Sequence, residues 1–377
     1  MSTQPNSYTR ASHSQALDLL RFPLAVIVVL VHTFPMQTGF NIMGKPFDFE
    51  NSPIFYELLC FISSFLRGQS VPIYYFISGY VFFLGVDNFN KDRYIQKLKN
   101  RTKTLLIPYL IWNVIALGIR LTSYIPMFRA YAAHPDQTFN PTVWTILSSF
   151  WSTKGLFPDS PLAVPVNTPL WFVRNLMIVV LCTPIIYNVI KRFRAWPILF
   201  LCMLWFVKLF FPEVSDGGFI GSFLFFSFGA YMSINKKDMV AEFGRYFKIS
   251  IILYPCLGVI GMLSIHFFPS VTDVIKQINI IVGLLFAYNI AVWLLQKNYC
   301  KVNEFLAASS FFIYVSHAII CGKIRAFLML IIKPINEFSI IIVYILTLVL
   351  TIVSLLTAYW VLKRHFPSVL KLVTGRK

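Results

Sequence analysis

The sequence predicts an all-α, polytopic membrane protein with about ten transmembrane helices. Three observations carry that prediction. The 377 residues are 57% hydrophobic, with a mean hydropathy of +0.68. Their charged fraction, 13%, is about half that of an ordinary soluble domain. The apolar residues gather into runs of about 20, the length a helix needs to cross a bilayer, with short basic segments between them. A soluble α/β core needs apolar runs of only about four to eight residues per strand. The alternation of a transmembrane barrel is absent, so helices are expected.

In chain order the runs fall at residues 17–36, 70–87, 104–123, 168–190, 196–211, 217–234, 249–267, 278–296, 305–331 and 337–361. They define a membrane-embedded domain over 17–361, between a cytoplasmic segment 1–16 and a basic cytoplasmic tail 362–377. The opening MSTQPNSYTRASHSQA is polar and lacks the compact basic head of a signal peptide, so the first run is expected to be a retained span. The stretch IFYELLCFISSFLRG is shorter and carries Glu57 and Arg67. It reads as an amphipathic interfacial or re-entrant piece.

The net charge of +18 is not a nucleic-acid face. RYIQKLKNRTK, KRFR, NKKD, FGRYFK and the tail sit in connections and ends that fall on one side if the spans alternate. That bias predicts both termini in the cytoplasm, with membrane lipids as partners and no nucleic acid. The long connections 37–69 and 123–167 fall on the other side, with Asp48, Glu50, Glu57, Asp136 and Asp159. The six cysteines show no metal-ligand spacing, so no metal and no essential disulfide are expected.

Polar residues inside such runs are costly and point to function or to a polar contact. In RFPLAVIVVLVH, Arg21 and His32 are 11 residues apart, which puts them about 20° out of phase and about 16 Å apart along one helix face. Asp18 lies one turn before Arg21 and can pair with it. Arg21 fits either an interfacial anchor or a binding residue. His32 needs a partner or a wet cavity. In VPIYYFISGYVFF, Ser78 and Gly79 permit close helix packing. In NTPLWFVRNL, Arg174 needs a polar cavity, an anion or a protein acceptor, and its guanidinium suits a phosphate or an oxyanion. In ASSFFIYVSHAIICGKIR, Ser310, Tyr314 and His317 share one face that continues toward Lys323; His317 is expected to face a cavity. His13, His134, His266 and His365 are given no role.

These motifs, LDLLRFPLAVIVVLVH, PIYYFISGYVF, LWFVRNL, FFSFGAYM and SSFFIYVSHA in this order, resemble the acyltransferase 3 family of integral membrane acyltransferases. The most specific element is the Arg or Lys separated by ten residues from a His, here Arg21 and His32. The chain departs from that family's usual pattern at Phe22 and Pro23, where glycine commonly follows the arginine. It departs again at Asn175, where Asp is frequent.

The resemblance implies transfer of an acyl group, acetyl in the usual case, from cytoplasmic acyl-coenzyme A to a hydroxyl of a cell-envelope or exported carbohydrate, free or lipid-linked. Within it, His32, His317 and Arg174 are the expected catalytic residues. Arg21, Ser78 and Tyr314 are the expected donor-binding residues, with the coenzyme phosphates near Arg21. His32, when neutral, serves as general base toward the acceptor, or takes part in a relay that moves the acyl group outward across the membrane. The resemblance also implies a bacterial inner membrane as the setting. The alternative is a transporter or flippase of an envelope glycan or lipid-linked intermediate, with the histidines relaying protons. The oligomeric state is left open.

Overall fold

The structure, a computed structural model, describes residues 7–33, 41–42, 45–46, 52–122, 138–159, 163–211 and 218–375, with side chains of the first helix from residue 14 onward. Asp48, Glu50, Asp136, His134 and the His13 side chain lie outside it. The chain is helical apart from a two-residue antiparallel pairing of β1 (Asn41–Ile42) with β2 (Lys45–Pro46).

The helices in order are α1 (Ser7–Thr33), α2 (Pro53–Phe65), α3 (Ser70–Phe83), α4 (Lys91–Arg101), α5 (Ile107–Thr122), α6 (Val143–Ser148), α7 (Trp171–Leu181) and α8 (Thr183–Phe193). They continue with α9 (Trp196–Val207), α10 (Phe219–Ile234), α11 (Met239–Gly244), α12 (Phe247–Phe267), α13 (Pro269–Gln296), α14 (Glu304–Ile332), α15 (Glu337–His365) and α16 (Pro367–Thr374). Pro108 has no N–H to offer the preceding turn, and the ladder between α4 and α5 is accordingly a π-turn, Thr102–Leu106. Pro184 plays a similar part between α7 and α8, which meet at 62°.

Six helices among the described residues are long and apolar enough to cross a membrane, or seven if the bent α7–α8 pair is one span. This corrects the expectation of about ten. Helices α3 and α10 have 14 and 16 residues, about 21–24 Å of rise against a hydrocarbon core of about 30 Å. Gly85, just past the end of α3, and Gly218, just before the start of α10, both stand at positive φ and turn the chain there. α9 and the 3₁₀ turn that extends it to Phe210 are also short. α2, with 13 residues, is likewise shorter than a crossing requires. Apolar side chains cover the outside of the long helices, as Ile252 (65% exposed) and Val353 (52%) illustrate. Such a surface is stable only against lipid.

The basic segments meet at one end of the bundle. Lys236 pairs with Asp87 at 2.7 Å, Gly375 lies against the backbone of Lys103 and Thr104, and Lys363 sits over the Phe305 ring. The predicted tail is largely helical: α16 packs on α5, where Trp112 donates to the Val373 carbonyl. α1 reaches this same end against α11, which places Arg21 toward it and His32 toward the opposite end.

α3 and α10 form the most extensive helix pair, and two glycines permit it. A Cβ at Gly79 would stand 2.0 Å from the Phe226 carbonyl oxygen, and one at Gly229 would stand 2.0 Å from that of Phe76. The Ser78–Gly79 step is thus explained on the glycine side by packing. Gly79→Ala is expected to lower the melting temperature of the detergent-solubilised protein through overpacking of about 1–3 kcal/mol. Gly118→Ala, where nothing lies within 4 Å of the added carbon, should leave it unchanged or raise it through helix propensity, by up to about 1 kcal/mol.

Candidate active site

The end of α1 is held by side chains from α14 and α15. The last carbonyls of a helix have no partner in their own ladder. Here Tyr344 donates to the Leu30 carbonyl at 3.0 Å, Arg325 to that of Thr33 at 2.9 Å and the Cys321 thiol to that of His32 at 3.9 Å. The Arg325 cation also suits the negative end of the helix dipole. Further back, Ser70 and Tyr74 of α3 donate to the carbonyls of Leu24 and Arg21, at 3.0 and 2.7 Å. The helix runs unbroken through Pro23.

His32 is thereby fixed against a cavity of about 640 Å³. Its Nδ1 lies 2.7 Å from the Val28 carbonyl. A carbonyl only accepts, so Nδ1 carries the proton and the lone pair of the neutral ring is on Nε2. His317 meets this ring edge to face, centroids 5.1 Å apart. It too commits Nδ1 to a carbonyl of its own helix, that of Tyr314, at 2.7 Å, and its Nε2 has no hydrogen-bond partner among the described residues. His317 is 0% exposed and stands behind His32 rather than on the cavity wall. That corrects its expected cavity-facing position, because the interlocked rings leave only His32 at the surface.

Tyr314 does line the cavity, but its hydroxyl is given to the Pro169 carbonyl, so it contributes a ring face. Ser309, Ser310 and Ser316 donate to carbonyls of their own helix, which accounts for that hydroxyl stripe. Arg21 pairs with Asp18 at 3.2 Å and does not line the cavity. The link between them is aromatic: the Tyr74 ring lies 6.3 Å from Tyr314 and 6.0 Å from Phe172. Ser78 is half-buried one turn beyond Tyr74, also off the cavity.

Arg174 is not gathered with the histidines. It is 4% exposed, and its donors go to the Trp151 carbonyl at 2.7 Å, the Ala163 carbonyl at 3.3 Å and the Asn175 side chain at 3.1 Å. The Trp151 ring packs on the guanidinium at 4.9 Å. The arginine therefore ties the long outer connection to α7. In that connection, hydrogen bonds from the Thr138 side chain and backbone hold the exposed Asp159 carboxyl below its usual range.

Sequence reasoning missed three cations on the cavity wall: Arg67, Lys208 and Arg325. The signal was available, since each is a basic residue near a span end on the side where basic residues are scarce. Lys323, toward which the His317 stripe was expected to run, is exposed and does not line the cavity. It also missed Asn167, whose amide donates to the Val315 carbonyl at 2.8 Å and pins the outer connection beside His317. His266, assigned no role, pairs with Glu57 at 3.1 Å. With Cys60 their ligand atoms lie within 4.8 Å of one another, away from the cavity, a grouping able to hold a metal ion.

A family model described as an acyltransferase domain matches residues 14–361. The chain belongs to the acyltransferase 3 family. It is a membrane acyltransferase of a family that acts on carbohydrate substrates with acyl-coenzyme A-type donors. Succinoglycan biosynthesis protein ExoH of Rhizobium meliloti (strain 1021) is 25% identical over 318 residues, covering 81% of this chain and 78% of the relative. No solved structure matches.

Replacing Arg174 tests its structural assignment. Arg174→Ala is expected to cost about 1–3 kcal/mol of stability through the lost charged donors, read as a lower melting temperature and faster proteolysis within residues 138–167. Retained stability would return Arg174 to the list of catalytic candidates.

Proposed function

We propose that this acyltransferase moves an acyl group, in the first instance acetyl, from cytoplasmic acyl-coenzyme A to a hydroxyl of a cell-envelope or exported glycan held in the His32 cavity. The observation that carries this reading is the tautomer of His32. Its Nδ1–H is occupied by Val28, so Nε2 presents a lone pair to the cavity, the state a general base requires. In the step itself, Nε2 takes the acceptor hydroxyl proton and the oxygen attacks the thioester carbonyl carbon. The C–S bond breaks, and the departing thiolate recovers the proton from the imidazolium. The products are the glycan ester and free coenzyme A.

The donor is taken to enter at the basic end, with both termini on the cytoplasmic side and residues 1–16 and 362–377 flanking the membrane domain. Arg21 and Arg101, close enough there to interact electrostatically, suit the coenzyme phosphates. The pantetheine arm then follows α1 past Ser78, Tyr74 and Tyr314. His317 acts as a positioning residue: its ring holds the edge of His32, and its own Nε2 is a further proton acceptor. Arg174 and Tyr314 have donors committed to backbone carbonyls, so oxyanion stabilisation is not assigned to them.

His32→Ala is expected to reduce transfer from acyl-coenzyme A to envelope glycan by about 100- to 10,000-fold while the purified protein keeps its melting temperature. Undiminished turnover would remove His32 from the chemistry. Arg21→Gln is expected to raise KM for acyl-coenzyme A with little change in kcat; an unchanged KM would leave Arg21 as an interfacial anchor. Mass spectrometry of envelope glycans from cells with active and His32→Ala protein identifies the added group and the modified sugar.

A further inference from the structure

Glu57, Cys60 and His266 meet away from the His32 cavity, and acyl transfer makes no use of them. Glu57 and Cys60 are three residues apart on α2, so they share one helix face. α12 packs against α2 and supplies His266. The His266 Nε2 stands 3.1 Å from the Glu57 carboxylate, and the ligand atoms of all three residues lie within 4.8 Å of one another. Tyr56 backs the group on two sides. Its ring packs edge to face on His266, centroids 5.7 Å apart, and its hydroxyl hydrogen-bonds the Cys60 sulfur. The spacing of the cysteines along the sequence gave no sign of a metal because His266 joins from a segment far along the chain.

The two helices are held in register by contacts that do not involve these three side chains. The Tyr254 hydroxyl of α12 donates to the Phe65 carbonyl at the end of α2, and a Cβ at Gly258 would stand 2.3 Å from the Phe65 ring. Asn279 of α13 donates to the Ser64 carbonyl at 3.0 Å. At the other end of α2, the Phe55 N–H donates to Glu337 at 2.6 Å. The register that places Phe65 beside Tyr254 and Gly258 brings Glu57 to His266. Donors presented by rigid elements in this way are preorganised for a metal ion. Glu337 opens α15, whose far end carries Lys363, so the group stands at the end of the bundle opposite the basic segments.

The donor set selects the metal. Carboxylate oxygen, imidazole nitrogen and thiolate sulfur are zinc ligands, whereas magnesium and calcium prefer oxygen alone. Tetrahedral zinc with bonds of about 2.0–2.3 Å sets its donors roughly 3.3–3.7 Å apart. The Glu57–His266 contact is already near that spacing, and rotation of the Cys60 side chain closes the third corner. An ionised Glu57 and a Cys60 thiolate balance a divalent charge, with His266 neutral. The cations nearby are Lys276, which interacts electrostatically with Cys60 and with Asp273, and Arg67, which interacts with Lys276. A cation beside a thiol favours its thiolate, and Asp273 offsets the lysine charge.

We infer that Glu57, Cys60 and His266 form a zinc site that clamps α2 to α12. One Zn²⁺ is bound by the Glu57 carboxylate, the Cys60 thiolate and His266 Nε2, and water takes the fourth position. On binding, the Cys60 S–H bond breaks, its proton leaves to solvent past the exposed His266, and an S–Zn bond forms. No electrons are transferred. The Tyr56 hydroxyl donates to the bound thiolate and fixes its direction. α2 leads directly into Arg67 on the cavity wall, so the ion steadies one rim of the His32 cavity without entering it.

The test uses the full chain in lipid nanodiscs, freed of any affinity tag, stripped with a chelator and dialysed against Zn²⁺ or Co²⁺. Expected are about one zinc ion per chain by mass spectrometry of the metal content, retained in millimolar Mg²⁺, and a thiolate-to-cobalt charge-transfer band in the near ultraviolet. Cys60→Ser should abolish the band. Glu57→Gln and His266→Gln should each weaken zinc binding at least tenfold, and zinc should raise the melting temperature of the natural protein but not of His266→Gln. His266 is exposed, so that variant keeps its fold and decides the matter even where Cys60→Ser does not fold. A zinc content below about half an ion per chain, a cobalt complex without the thiolate band, displacement by Mg²⁺, or zinc affinity unchanged in His266→Gln would overturn the inference.

Discussion

The site depends on how the end of α1 is satisfied. Its terminal carbonyls have no partner in their own ladder, and a carbonyl left without a donor inside a membrane protein is expensive. Arg325 and Cys321 of α14 and Tyr344 of α15 supply the donors. These contacts fix both the height and the rotation of the last turn. Rotation decides whether His32 faces the cavity, a neighbouring helix or lipid. The edge-to-face contact with His317 sets the other side of the ring. One set of hydrogen bonds thus closes a helix and orients the candidate base.

The same rule, that polar groups in an apolar medium must find partners inside the protein, separates structural polar residues from functional ones. Arg174, Asn167 and Tyr314 look equally suggestive as polar groups in or beside apolar runs. Each spends its donors on backbone carbonyls of another segment, binding the outer connection to α7 and α14. His32 and His317 spend only Nδ1, on their own helices, and keep Nε2 available. The difference lies in which atoms are committed, and residue type does not reveal it.

Charge is divided between the two ends of the bundle. The basic segments around Lys103, Lys236 and Lys363 gather at one end, where an anionic lipid surface and a polyanionic coenzyme are both favourable. Arg67, Lys208 and Arg325 gather around the cavity near the other. Between them the aromatic contacts of Tyr74, Phe172 and Tyr314 link the levels of Arg21 and His32. A donor entering at one end and an acceptor at the other would meet beside His32.

The all-α membrane class, the polar pair Arg21 and His32, the Gly79 packing step and the family were legible in the sequence. Each rests on a local quantity: hydropathy over a window, helical phase over three turns, or the order of short motifs. The number of full crossings was not legible, because hydropathy does not register where Gly85 and Gly218 turn the chain. The committed donors of Arg174, the burial of His317 behind His32 and the meeting of Arg67, Lys208 and Arg325 were also decided by the tertiary structure alone. Those three cations come from segments separated by more than a hundred residues, and local periodicity carries no information about which helices become neighbours. The sequence determined which residues were too costly to be idle in a membrane, whereas packing decided which of them met at a cavity and which were spent holding it together.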